Sequence, residues 1–215
     1  LDWLGFLLCG GALALTMIFL ELLQPAGGLD WPVALATGAG SAVLIATTGW
    51  WLRRTPHPIL RLGALRIRTF AVSNLGGGVY RMVINAVPFL VPLLLQVGFG
   101  LSPVTSGNLL LLLFLGNMAI KPATSPLIRR FGFRAVLICC IAGGALVIAT
   151  LGLLQPATPL PVIGGLLLVS GVFRSVGFSS YNSLQFADVP ADAMAGANTL
   201  SATMQQLAGG LGIAI

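Results

Sequence analysis

Gly116-Asn-Met-Ala-Ile-Lys-Pro-Ala-Thr-Ser-Pro-Leu-Ile-Arg-Arg-Phe-Gly-Phe-Arg134 decides how this chain of 215 residues is read. It joins two apolar runs, Leu101 to Leu127 and Ala135 to Leu154, through a short turn that carries three arginines. Each run is long enough to cross a hydrocarbon core of about 30 Å, which takes roughly 20 helical residues at about 1.5 Å each. Arginine is costly in hydrocarbon and is retained on the cytoplasmic side during insertion, so Arg129, Arg130 and Arg134 orient both helices.

The composition agrees with that reading outward from the turn. The chain is 57% hydrophobic and 7% charged, a balance foreign to a water-soluble domain of this size. Backbone groups in lipid must be satisfied internally, and the apolar runs are continuous rather than alternating, so helices are expected and a β-barrel is not. The fold class is therefore an all-α membrane protein. The formal charge of +6 does not point to nucleic acid, because most of the cations lie in short loops between apolar runs, where they set topology.

Seven spans are expected: about Trp3 to Leu23, Val33 to Leu52, Phe70 to Val97, Pro103 to Leu127, Ala135 to Leu154, Pro161 to Phe186, and Ala195 onward. With the 129–134 turn inside, alternation makes the loops at 53–68 and 187–194 cytoplasmic, and those near 24–32, 98–102 and 155–160 external. Arg53, Arg54, Arg61, Arg66 and Arg68 then fall inside with the three arginines of the turn, and the outer loops hold no cation. The loop RRTPHPILRLGALRIR alternates arginine with Leu and Ile, which suits an interface with anionic head groups. Leu1 is not methionine and Gly212-Ile-Ala-Ile215 stops inside an apolar run, so the chain reads as part of something longer.

At about 100° per residue the later spans show polar stripes. One carries Arg81, Asn85, Pro88, Pro92 and Gln96, and the next Asn117, Lys121 and Ser125. The sixth aligns Ser170, Arg174, Phe178, Tyr181, Asn182 and Gln185, and the seventh Asn198, Ser201, Gln205 and Gly209. Such stripes turn from lipid toward another helix or a wetted cavity. Arg174 stands near mid-depth, beyond easy snorkelling, whereas Arg81 and Lys121 lie closer to the cytoplasmic ends. Asp2, Glu21, Asp30, Asp188 and Asp192 are the only acids, and all sit in loops or at span ends. The partner of Arg174 is thus expected to be substrate, solvent or an acid from elsewhere. Small residues at Gly171, Gly209 and Gly210 mark close helix packing, and Gly76-Gly-Gly78 is expected to loosen the start of its span.

Catalytic readings find little support. Cys9, Cys139 and Cys140 lie in apolar runs without metal-ligand spacing, and His57 is the only histidine. Ser41 lacks a GxSG context and a histidine base, and no Walker A or dinucleotide glycine pattern appears. No enzyme activity, metal or cofactor is expected.

Four stretches carry a resemblance. Pro58-Ile-Leu-Arg-Leu-Gly-Ala-Leu-Arg-Ile-Arg-Thr-Phe70 looks like the entry to a second six-helix half. Pro92-Leu-Leu-Leu-Gln-Val-Gly-Phe-Gly-Leu-Ser-Pro-Val-Thr-Ser-Gly107 looks like that half's first outer turn. Pro126-Leu-Ile-Arg-Arg-Phe-Gly-Phe-Arg134 is similar to a cytoplasmic loop motif in which Arg130, Gly132 and Arg134 match, while Arg129 stands where an aspartate is usual. Ala195 to Ala214 looks like a penultimate helix. Together they resemble the major facilitator superfamily, in particular the fourteen-span drug:proton antiporters of the EmrB/QacA type. The resemblance implies a transmembrane helix bundle divided into two linker helices (1–52), a basic amphipathic cytoplasmic loop (53–69) and an incomplete carboxy-terminal half (70–215).

It implies, too, proton-coupled efflux of drugs or other amphipathic small molecules from the cytoplasmic (inner) membrane, with an amino-terminal half and the proton-carrying residues outside this chain. The cavity is then expected at Arg81, Asn85, Gln96, Asn117, Lys121, Arg174, Tyr181 and Asn182. An importer, an organic-anion exporter or a truncated non-transporting membrane protein are the alternatives.

Overall fold

A computed structural model describes residues 2–22, 31–55 and 62–214. His57 with its Pro-rich loop, most of the expected 24–32 loop, and both terminal residues lie outside the described residues. The elements are α1 (Trp3–Leu22), α2 (Trp31–Arg54), a short 3-10 turn (Leu62–Arg66), α3 (Arg68–Leu93), α4 (Pro103–Ala119), α5 (Lys121–Gly152), α6 (Leu160–Gln185) and α7 (Met194–Ala214). Five stretches are long and apolar enough to cross a membrane: α1, α2, α3 with the turn that follows it, α5 and α6.

The expected 129–134 turn is tighter than the sequence suggests. Helix continues through Arg129 and Arg130 and breaks at Gly132 alone, with φ 77° and ψ 159°. That region is open essentially to glycine, so one residue suffices to reverse the chain. Residues 121–131 and 133–152 are therefore antiparallel: Ile120, Leu127 and Ile128 pack against the cluster of Val136, Cys140 and Val176. Ile120 is a mild corner between α4 and the start of α5, where Pro122 stands in the first turn and its missing N–H costs nothing. The fourth span thus runs further than Leu127 and the fifth begins sooner than Ala135.

Helix α6 is the centre, with α4, α5 and α3 around it and α7 on α3. Val87, Val91, Leu95, Leu109, Leu113, Val147, Leu151, Ile163 and Leu167 form one core cluster across α3 to α6. Leu52, Ala64, Phe70, Val189, Ala197 and Leu200 form another at the opposite end. The α1–α2 hairpin is held by a Thr16–Ser41 hydroxyl bond of 2.7 Å and by Trp51 Nε1 donating to Asp2 Oδ1. Many large apolar side chains, including Trp3, Leu35, Val72, Phe89, Met118 and Leu153, face outward, as lipid allows and water does not.

Gly76, Gly77 and Gly78 do not loosen α3. The helix is regular through them, and they are seats instead: the Tyr181 ring lies on Gly76 and Gly77, and Ala208 on Gly78. The end of α3 is where the backbone departs from α-helix. Pro88 and Pro92 remove two helical donors, and Leu94–Gly98 winds as a π-helix before Gly100 takes a positive φ of 68°.

Candidate functional site

The polar stripes of α3, α6 and α7 meet. Arg81 Nη2 donates to Asn182 Oδ1 at 2.6 Å, and Gln185 Nε2 donates to the same oxygen at 3.2 Å. Ser201 Oγ then donates to Gln185 Oε1 at 3.0 Å, and Gln205 Nε2 to Ser201 Oγ at 2.9 Å. This chain of amides and hydroxyls ties three helices together around one guanidinium. Arg81 is 3% exposed and stands mid-way along α3 (Arg68–Leu93) rather than closer to its cytoplasmic end as expected, so it does not snorkel out. The Phe178 ring lies 5.1 Å from its guanidinium carbon, a cation–π distance, and its Nε has no hydrogen-bond partner.

A second cationic group stands higher on α6. Arg174 Nη1 donates to the backbone oxygen of Ile84 at 2.5 Å and Nη2 to Asn85 Oδ1 at 3.4 Å. The partner expected from substrate, solvent or a distant acid is supplied here by neutral oxygens of α3. The sequence hides this, because an available carbonyl inside a helix follows from Pro88 four residues later, not from any charged side chain. Of the acids among the described residues, Asp2 and Glu21 lie at the ends of α1, and Asp188 and Asp192 in the α6–α7 turn.

Between α3, α5 and α6 lies a cavity of about 450 Å³. Val79, Val83, Ile84, Val87, Ile141 and Ile148 supply most of its wall, with Tyr80, Ser170, Arg174 and Tyr181 as its polar members. Tyr80 Oη donates to the Phe173 backbone oxygen at 2.8 Å, and the Tyr80 and Tyr181 rings stand 5.5 Å apart.

Of the eight residues expected around a cavity, Arg174 and Tyr181 line this one. Arg81 and Asn182 bond to each other, and Asn85 joins Arg174 and also faces Gly209. Gln96 lies apart in the π-helical turn, donating to Ser106 Oγ at 3.4 Å. Asn117 is half-buried where α4 meets α6, and Lys121 is exposed at the start of α5. At about 100° per residue, Arg81 and Pro88 point nearly opposite to the cavity-lining Val79 and Val83, so the polar face of α3 and the apolar cavity are separate surfaces.

Tyr80 and the α5 wall were not singled out by the sequence, whereas Ser170 lies on the polar stripe expected for the sixth span. Tyr80 follows a triple glycine and precedes Arg81, but nothing local says that its hydroxyl reaches another helix. Of the loop motif, Gly132 makes the break, Arg130 lies over the Phe131 ring and Arg134 is exposed. Gly171 packs on α4 at Leu113, and Gly210 faces Met17 of α1.

Comparison with known proteins places this arrangement. The chain is 31% identical over 218 residues to proteins of Salmonella paratyphi A, Salmonella newport and Salmonella typhimurium, each named "Putative multidrug resistance protein MdtD". Those matches take in 100% of this chain and 45% of each relative, so the chain spans about half the length of the curated relatives it matches. The family model described as Major Facilitator Superfamily matches residues 3–213, from the first turn of α1 to the last of α7. With five helices long and apolar enough to span, this is a multi-pass membrane protein, and the chain belongs to the Major Facilitator Superfamily.

Proposed function

We propose that this chain is the carboxy-terminal portion of a fourteen-span drug:proton antiporter of the EmrB/QacA type, exporting amphipathic small molecules across the bacterial inner membrane. Residues 1–52 serve as the linker pair, 53–69 as the cytoplasmic basic loop and 70–215 as part of the second half. The observation that carries the reading is Arg174, a cation held by neutral oxygens at the wall of a largely apolar cavity, with a second such cation, Arg81, buried on the other face of α3. An amphipathic molecule needs both surfaces, and intramembrane cations belong to a bundle interior rather than to lipid. The relatives' name supports drugs as the class.

Arg81, Asn85, Arg174 and Asn182 are the residues proposed to face the complementary half, with Tyr181 at the cavity wall; Gln96, Asn117 and Lys121 stand apart from them. The proton carrier is assigned to the other half, since the described carboxylates lie at helix ends and in a turn. The test is efflux of a lipophilic dye from cells expressing the full-length protein. Extrusion that stops when a protonophore collapses the gradient supports the reading; extrusion unaffected by the protonophore overturns the coupling.

Export of organic anions is the second reading, favoured by the partnerless Arg81 Nε and the absence of a paired acid for Arg81 or Arg174 among the described residues. Competition of dye efflux by an aromatic carboxylate, but not by its methyl ester, distinguishes it.

A further inference from the structure

We infer that Arg174 is a positioning residue that caps the α3 backbone, standing in for the amide hydrogen that Pro88 lacks. In a regular helix the oxygen of Ile84 accepts from the N–H of residue 88. Position 88 is proline, so that donor is missing from the interior of α3. Arg174 reaches across from α6 and puts Nη1 at 2.5 Å from that oxygen. In a membrane interior an unsatisfied carbonyl is expensive, and a neighbouring helix supplies the donor. The guanidinium suits the task because it is always charged and offers five donors on a long stem, two of which land on adjacent α3 residues.

The bond has a counterpart running the other way. Tyr80 of α3 donates to the oxygen of Phe173, the residue before Arg174, while Arg174 of α6 donates to Ile84, one turn beyond Tyr80. Two side-chain-to-backbone bonds of opposite direction therefore clasp α3 to α6 at one level near the middle of both helices. The clasp sits at the boundary between two kinds of backbone. Residues 68–84 are regular, whereas Pro88, Pro92 and the π-helical 94–98 leave the remainder of α3 short of its own bonds. Arg174 sets the direction in which that weakened end leaves the clasp. This role holds whatever the cargo, and it does not require Arg174 to touch cargo.

The test is a double-variant cycle on the full-length protein purified in detergent, read by thermal unfolding. Arg174→Leu is expected to lower the Tm. In a Pro88→Ala background, where position 88 regains its amide hydrogen, the same change is expected to lower it by less than half as much. Equal losses in the two backgrounds overturn the inference, because a charge that only binds cargo or only lines a cavity is indifferent to the hydrogen at position 88.

Should Arg174→Leu fail to accumulate, Arg174→Gln serves the same cycle with a shorter donor. A second readout uses spin labels at the exposed Val79 and Phe89, which flank the cap. Loss of the cap is expected to broaden their distance distribution with proline at position 88 and to leave it narrow with Pro88→Ala. An unbroadened distribution in Arg174→Leu overturns the inference as well.

Discussion

Gly171 of α6 lies so close to Leu113 of α4 that a methyl group on Gly171 has no room beside the Leu113 carbonyl. Gly116 of α4 meets the backbone of Leu168 on α6 in the same way, so the two helices approach through reciprocal glycines. In lipid, where apolar side chains gain little by leaving the solvent, such close backbone contact is what holds helices together. Gly171→Ala is expected to cost about 1–3 kcal/mol by overpacking. Gly165→Ala, on the same helix with open space at its Cβ position, is expected to leave the Tm in detergent unchanged; equal Tm losses for both would show that the contact is not tight.

Asn182 is the hinge of the polar chain, since its Oδ1 accepts from both Arg81 and Gln185. Removing it leaves a buried guanidinium without its acceptor, so Asn182→Leu is expected to destabilise by about 1–3 kcal/mol. The charge is the reason, and the double variant Arg81→Met with Asn182→Leu is expected to be more stable than Asn182→Leu alone. Chemical unfolding of the three proteins checks the order.

How far the sequence carries is set by what kind of information each feature needs. The helices follow from uninterrupted apolar runs and from turns that break them, and both are local, so α1, α2, α3, α6 and α7 are legible within a few residues, whereas α4 ends at Ala119 and α5 begins at Lys121, not at the expected Leu127 and Ala135. The stripe of Arg81 and Asn85, and that of Arg174 and Asn182, are legible because helical period is local too. Which stripe meets which is not, and neither is the apolar cavity. Its walls come from Val79 and Val83 on α3 and Ile141 and Ile148 on α5, residues that read as ordinary lipid-facing positions. The Arg174 cap shows the same limit: the proline and the arginine stand 86 positions apart in the chain, and only the crossing of α3 over α6 joins them.

Gly132 isolates a purely backbone effect. Its φ of 77° and ψ of 159° are unfavourable for any side chain, yet nothing lies within 4 Å of where a Cβ would stand. Gly132→Ala is therefore expected to cost about 1–3 kcal/mol from strain alone, with no clash to relieve. A compensating change in a neighbour is not expected to restore the loss, and thermal unfolding of Gly132→Ala combined with Phe131→Ala tests that point.

Side-specific labelling tests the topology on which the proposal of a cytoplasmic loop stands. Arg134 opens the stretch 133–152 and is exposed, and Gln155 lies just past its far end in the turn before α6. About 20 helical residues separate them, the thickness of a hydrocarbon core, so the two positions must be on opposite sides if this stretch spans. Arginine clusters stay on the cytoplasmic side, which puts Arg134 inside with Arg129 and Arg130, and Gln155 outside. With the native cysteines replaced, Gln155→Cys is expected to react with a membrane-impermeant maleimide in intact cells, and Arg134→Cys only after the membrane is opened. The reverse pattern would invert every loop assignment, and labelling of both in intact cells would mean that the stretch does not cross.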